Sequence, residues 1–282
     1  MELRITILSE NTGIVGNFLA EWGLSILVET DEANILFDTG RTISATYNAD
    51  TLGISLSKID KIVLSHSHLD HTGGLREVLR RIRKNEIEII AHPHIWAIRY
   101  NRRQGQADRF MGIPFQRQEL ENFGAIFNLT TKPVKITDNI ITSGEIPMVT
   151  DFEEVDSGSS IRLIKEDTGL KPDELLDDQA IVINTKQGLV VITGCAHRGI
   201  INTLYHAQQI TNVKEIHAVI GGAHLVDASE ERIRLTIAAL RELNIQKLGL
   251  CHCTGLPAIT LIAHEFGDSF LFNNAGTTIN LP

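Results

Sequence analysis

The sequence predicts an α/β protein in which short strands and amphipathic helices alternate. Two observations carry this: brief apolar runs that stop at Gly, Asp or His, and segments whose apolar residues recur three and four apart between charged ones. No low-complexity stretch, Pro-rich linker or internal repeat divides the 282 residues, so one domain over residues 1–282 is expected.

Residues 3–8 (LRITIL), 25–29 (SILVE) and 34–37 (NILF) read as strands, with Asp31, Glu32 and Asn34 supplying the turn between the last two. Residues 61–64 (KIVL) form another strand. Over residues 75–82, Leu75, Val78, Leu79 and Ile82 fall on one helical face, with Arg76, Arg80 and Arg81 between them and Arg83 following. Residues 98–121 are polar and basic and are broken by Gly105 and Gly112, which predicts a lid or insertion. A second β-rich stretch follows at 134–136, 140–142, 160–164, 180–184 and 189–193. Helices are predicted over 200–210 and 230–243, the second opened by a capping box of Asp227 with Glu230. Strands at 218–220 and 247–250 flank that helix. Pro257 opens a last helix to 266, and residues 270–281 are extended.

The 26 Lys and Arg against 35 Asp and Glu give a net charge of −9, so no global field favours a polyanion, and nucleic-acid binding is not expected. An anionic substrate would need a local basic patch. No apolar run approaches the ~18 residues that span a bilayer, and the first ten residues lack a basic start and apolar h-region. No membrane association is expected. Three cysteines, Cys195, Cys251 and Cys253, do not make a disulfide framework, and a reduced, cytoplasmic protein is expected.

Function is concentrated in the histidines. His66-Ser67-His68-Leu69-Asp70-His71 follows the 61–64 strand and precedes Thr72-Gly73-Gly74 and a helix. Alternate residues on extended backbone point the same way, so His66 and His68 can converge on one ion while Asp70 and His71 turn toward a neighbouring position. Imidazole with carboxylate suits a first-row transition metal that activates water.

This HxHxDH segment, with Asp38-Thr39-Gly40 upstream, resembles the signature of the metallo-β-lactamase superfamily. The resemblance implies an αββα four-layer sandwich with its metal site at one edge of the sheets. The segments Ser143 to Pro147, Thr193 to His197, Gly221 to Leu225 and His252 to Gly255 occur in an order similar to the 7,8-dihydropterin-6-methyl-4-(β-D-ribofuranosyl)aminobenzene 5'-phosphate synthase subgroup, often described as metal-dependent hydrolases. The likeness runs from Asp38 to about Gly276. It implies His66, His68, Asp70, His71, His197 and His252 as ligands of one or two divalent transition-metal ions, with Zn, Fe or Mn expected. Cys195 stands where superfamily members place a bridging Asp, and Glu145 where another histidine often lies, so both are near-site candidates and the count of one or two ions stays open.

Asp38 can orient a ligating histidine through its second ring nitrogen. His224, after a Gly pair, is a candidate for proton transfer or ligation, with Asp70 the other catalytic candidate. Gly221 and Gly222 would let backbone approach a bound molecule, and Arg99 and Arg103 could meet its phosphate or carboxylate. The expected activity is hydrolysis of a small anionic or phosphorylated molecule by metal-activated water. The alternatives are a dihydropterin synthase-type condensation releasing pyrophosphate, a mononuclear iron redox enzyme, and a metal-dependent ligand-binding module without turnover.

Overall fold

Side-chain alternation decides the layering. In the strand Gly188–Thr193, Val190 and Ile192 face one way and Leu189 and Val191 the other, and all four are fully buried, so both faces of this strand are covered. The structure, a computed structural model, describes residues 2–155 and 160–282. A seven-stranded sheet runs in the order Thr278–Leu281, Leu3–Ser9, Ser25–Glu29, Asn34–Phe37, Lys61–Val63, Ile87–Ala91 and Ala125–Leu129. A five-stranded sheet runs Lys247–Cys251, Ile216–Gly222, Gly188–Thr193, Ala180–Thr185 and Ile140–Thr142.

Ile5, Ile26, Phe37 and Val63 of the first sheet pack against Ile181, Ile183, Val190, Ile192 and Ile220 of the second. The other face of the first sheet is covered by the helices Ser44–Thr51 and Leu75–Ile82, through residues such as Ala45, Ala49, Val78 and Leu79. The other face of the second is covered by Ile200–Thr211, Glu230–Glu242 and Leu256–Phe266. The result is the expected αββα sandwich. At roughly 1.5–3 kcal/mol for each large aliphatic side chain buried, the inter-sheet layer is a stable base for polar loops at its edge.

The local expectations met mixed outcomes. The strands Ser25–Glu29, Asn34–Phe37 and Ile140–Thr142 and the helix Leu75–Ile82 have the predicted bounds. The helix Ser44–Thr51 gave no periodic signal because it buries Ala45 and Ala49 rather than large apolar residues. Residues 134–136 form no named strand and make only an isolated bridge, Lys135 to Ile141. Of residues 270–281 only Thr278–Leu281 is strand. The helix Glu230–Glu242 is capped by Ser229, whose hydroxyl accepts from the Arg232 N–H at 3.2 Å, and not by an Asp227 capping box.

Residues 98–121 hold regular structure. Arg99–Arg103 and Arg109–Phe110 join Ser160–Glu166 and Gly169–Pro172 in a separate four-stranded sheet, in the order 169–172, 160–166, 99–103, 109–110. Arg99 anchors it. Its side chain is 1% exposed and donates to Asp173 and to Asp177, the latter at 2.6 Å, and to the Ser67 hydroxyl. Asp177 in turn accepts from the Ser67 N–H at 2.9 Å, so this ion-pair cluster grips the histidine loop from below. Arg99 therefore sits inside the protein, away from the position that substrate contact would require. No helix among the described residues is long and apolar enough to cross a membrane.

Removing one member of a buried ion-pair cluster strands the others, at about 3–5 kcal/mol. Arg99→Ala should lower the unfolding free energy by that amount in urea titration, whereas Arg102→Ala, which removes a solvent-exposed pair with Asp108, should leave the transition nearly unchanged.

Candidate metal centre

The polar residues singled out in the sequence gather where parallel strands end. Asp38 follows Asn34–Phe37, His66 follows Lys61–Val63, Cys195 and His197 follow Gly188–Thr193, His224 follows Ile216–Gly222, and His252 follows Lys247–Cys251. Four non-glycine residues here, Asp38, Ala196, His224 and His252, have φ between +44° and +58°. Left-handed backbone at non-glycine residues is uncommon, and its concentration at one edge marks a place where side-chain direction overrides backbone preference. Gly194 is needed for the approach of the two sheets, since a Cβ there would lie 2.1 Å from Ser65 Oγ and 3.1 Å from Asp38 Oδ2.

Two triads form. In the first, His66 Nε2 lies 2.9 Å and His197 Nε2 3.2 Å from His68 Nδ1. Ligand atoms on a tetrahedral ion with bonds of about 2.0–2.1 Å sit roughly 3.3 Å apart, so these nitrogens are spaced to share a cation. In the second, Asp70, His71 and His252 place one ligand atom each within 4.8 Å of one another. His252 Nε2 and Asp70 Oδ1 are buried without a hydrogen-bond partner, which a cation between them would satisfy.

The surroundings fix these rings. Asp38 accepts from the Ser65 N–H at 2.7 Å and the Ser65 hydroxyl at 2.6 Å, and its Oδ2 lies 2.6 Å from His71 Nδ1. The Ser65 hydroxyl also reaches His66 Nδ1 at 2.9 Å, and Asn11 Oδ1 lies 3.0 Å from His252 Nδ1. Each contact takes up the nitrogen that faces away from the triads, leaving the other to a cation.

Electrostatics agree. Burial first, then neighbouring histidines and arginines, hold His66 and His197 well below the ordinary imidazole value; burial does the same for His68 against the opposing pull of Asp70. These rings are neutral and offer lone pairs. Burial pulls His71 down too, but the carboxylates of Asp38 and Asp70 outweigh it and raise it to about 9. Burial would raise Asp70, yet the His252 ring, 3.4 Å away, and the charge of His71 keep it strongly depressed. The second triad thus attracts positive charge. Cys195 Sγ lies 3.1 Å from His71 Nε2. Burial and Cys253 push the Cys195 thiol up; for Cys253 burial acts the same way, but Cys195, His224 and His252 outweigh it and draw it down.

Above the triads lies a cavity of about 540 Å³. His68, Asp70, Cys195, His197, His224 and Cys253 form its floor, and Arg41, Arg103, Arg109 and Arg162 its walls, with Trp22 and Asp227. Arg162 Nη2 donates to His224 Nε2, which places the proton of the neutral ring on Nδ1. Glu145 is not part of either triad; its Oε1 pairs with His92 Nε2 at 2.8 Å. Gly221 and Gly222 lie within their strand, where a Cβ would meet the Thr193 carbonyl at 2.0 Å and Cys253 Sγ at 2.6 Å, respectively, so close packing of the strand ends accounts for both. Sequence reasoning did not select Arg41, Arg162, Trp22, Ser65, Asn11 or Cys253. The first five carry no motif; Cys253 was visible as the neighbour of His252.

The metallo-β-lactamase superfamily model matches residues 23–207, about two thirds of the chain. The chain belongs to the metallo-β-lactamase superfamily. Within this superfamily it is 33% identical over 97% of its length to the 7,8-dihydropterin-6-methyl-4-(β-D-ribofuranosyl)-aminobenzene-5'-phosphate synthase of Methanocaldococcus jannaschii, covering 95% of that protein. It is 29% identical, over 98% of its length and all of the relative's, to an uncharacterized protein of the same organism. Among solved structures it resembles a metal-dependent hydrolase of the β-lactamase superfamily, with TM-score 0.82, 27% identity and 99% of each chain covered. Superfamily membership implies divalent-metal binding, and the two triads fit it.

Losing a carboxylate that orients a metal-bound histidine costs about 10–100-fold in metal affinity. Asp38→Asn should weaken metal binding by that factor in chelator competition. In metal-free protein His71 binds a proton more tightly folded than unfolded, so its stabilising contribution is complete below the unfolded value of about 6.5 and is lost as pH rises through about 9. The depressed His66, His68 and His197 act oppositely, and their penalty grows as pH falls below about 6.5. Urea titrations of metal-stripped protein should therefore show greatest stability near pH 6.5, with the alkaline limb flattened in Asp38→Asn.

Proposed function

We propose that this protein is a metal-dependent hydrolase of a small anionic, phosphorylated molecule. The carrying observation is the arginine-walled cavity that opens onto both ligand triads. His66, His68 and His197 would hold one ion and Asp70, His71 and His252 the other. When bound, the ions supply Lewis acidity toward a phosphoryl or carbonyl oxygen and make water nucleophilic near neutral pH.

The remaining work belongs to the chain. Arg41, Arg103 and Arg109 grip the substrate anion through planar guanidinium forks, which orient as well as attract. His224 is held neutral by burial despite an opposing hydrogen bond with Cys253, and its ring is oriented by Arg162. Its place on the cavity floor makes it the candidate for proton transfer to or from the bound molecule. Trp22, whose ring centroid lies 5.2 Å from that of His252, shields one side of the floor from water.

A second reading is favoured by the likeness to the synthase over nearly the whole chain: condensation of two substrates with release of pyrophosphate, the same arginines holding the leaving group. Element-resolved metal analysis of anaerobically purified protein comes first. About two ions per chain support either reading, and one iron per chain would overturn both in favour of redox chemistry. Hydrolysis is then expected to place ¹⁸O from labelled water in the product, whereas condensation releases pyrophosphate only with the second substrate present. Losing one charged hydrogen bond costs about 1.5–3 kcal/mol, so Arg109→Ala should raise KM for a phosphorylated substrate roughly 10-fold or more and leave metal content unchanged.

A further inference from the structure

Cys195 and Cys253 come from separate strand ends and meet on the cavity floor. Cys253 Sγ lies 3.5 Å from the Cys195 carbonyl oxygen. The two sulfurs and a ring nitrogen of His252 all fall within 4.8 Å of one another, and all three side chains are buried. Two further observations point to a ligand here. His252 Nε2 is a buried nitrogen that lies 3.4 Å from Asp70 Oδ2, too far for a good N–H···O bond, and Cys195 Sγ sits 3.1 Å from His71 Nε2, so the sulfurs adjoin the second triad. Space for Cys253 is also built in, because any Cβ at position 222 would lie 2.6 Å from its sulfur. Cys251, two residues away, provides a contrast: its side chain lies in the apolar layer between the sheets.

We infer that Cys195 and Cys253 are thiolate ligands, with His252, of the cation on the second side of the cluster. The inference rests on the reading of the cluster as a metal centre. Each thiol gives up its proton to solvent as its sulfur–metal bond forms, so metal uptake releases protons. Thiolate donors make this half of the site soft, selecting zinc, ferrous iron or cobalt(II), whereas the all-imidazole triad beside it is less selective.

Reconstitution of metal-stripped protein with cobalt(II) under anaerobic conditions tests this. A sulfur-to-cobalt charge-transfer band in the near ultraviolet is expected in the wild type. It should fall by about half in Cys195→Ala or Cys253→Ala, vanish in the double variant and persist in Cys251→Ala. Cobalt bound by the wild type without such a band overturns the inference while leaving the metal centre intact, as does a band that survives in the double variant. A wild-type protein that binds no cobalt overturns the metal-centre reading itself. The wild-type spectrum decides even if a variant fails to fold.

Discussion

The Asp38 carboxylate is the constraint around which the centre is arranged. It is completely buried, and its backbone is left-handed at φ 58°, both of which cost free energy unless matched. Two hydrogen bonds from Ser65 and the contact to His71 Nδ1 provide the match. Through Ser65 it also reaches His66, so one carboxylate sets a ring in each triad. A negative charge sealed beside histidines makes a cation the natural completion of the site. The depressed rings of the first triad and the raised His71 are two outcomes of the same burial, divided by which ring touches a carboxylate.

That arrangement needs a rigid base and receives it from the inter-sheet layer. Ile181, Ile183, Val190, Ile192 and their partners across the sandwich hold the strand ends level, and Gly194 lets the two edges close to contact distance. The Arg99 cluster adds a brace from the third sheet. It is polar and buried, so its contribution lies more in holding the Ser67 backbone than in net stability, since a buried ion pair recovers little beyond its desolvation.

Much of this was legible in the residues. The alternation of short strands and amphipathic helices announced an α/β chain, the likeness of the HxHxDH segment to the superfamily signature implied its four layers, and four ligand-type residues within His66–His71 announced the metal loop. What escaped was of two kinds. Helix Ser44–Thr51 buries only small side chains, which leave no hydrophobic period. Arg162, Ser65 and Asn11 matter through where the chain folds back to place them, and no spacing along the chain encodes that. Arg99 failed the other way: an arginine in a basic run read as a substrate contact, yet Asp173 and Asp177, more than seventy residues on, claim it.

The walls of the cavity have a different origin from its floor. Three of its four wall arginines, Arg103, Arg109 and Arg162, stand on the small four-stranded sheet, while Arg41 and every residue of the two triads belong to connections of the large sandwich, Asp70 and His71 within the short helix Leu69–Thr72. Most of the recognition surface is thereby carried by one small sheet and the reactive groups by another part of the fold. Drift in the small sheet can change which molecule is accepted without disturbing the chemistry beneath it, and a lineage can acquire new substrates while its reactive centre stays fixed.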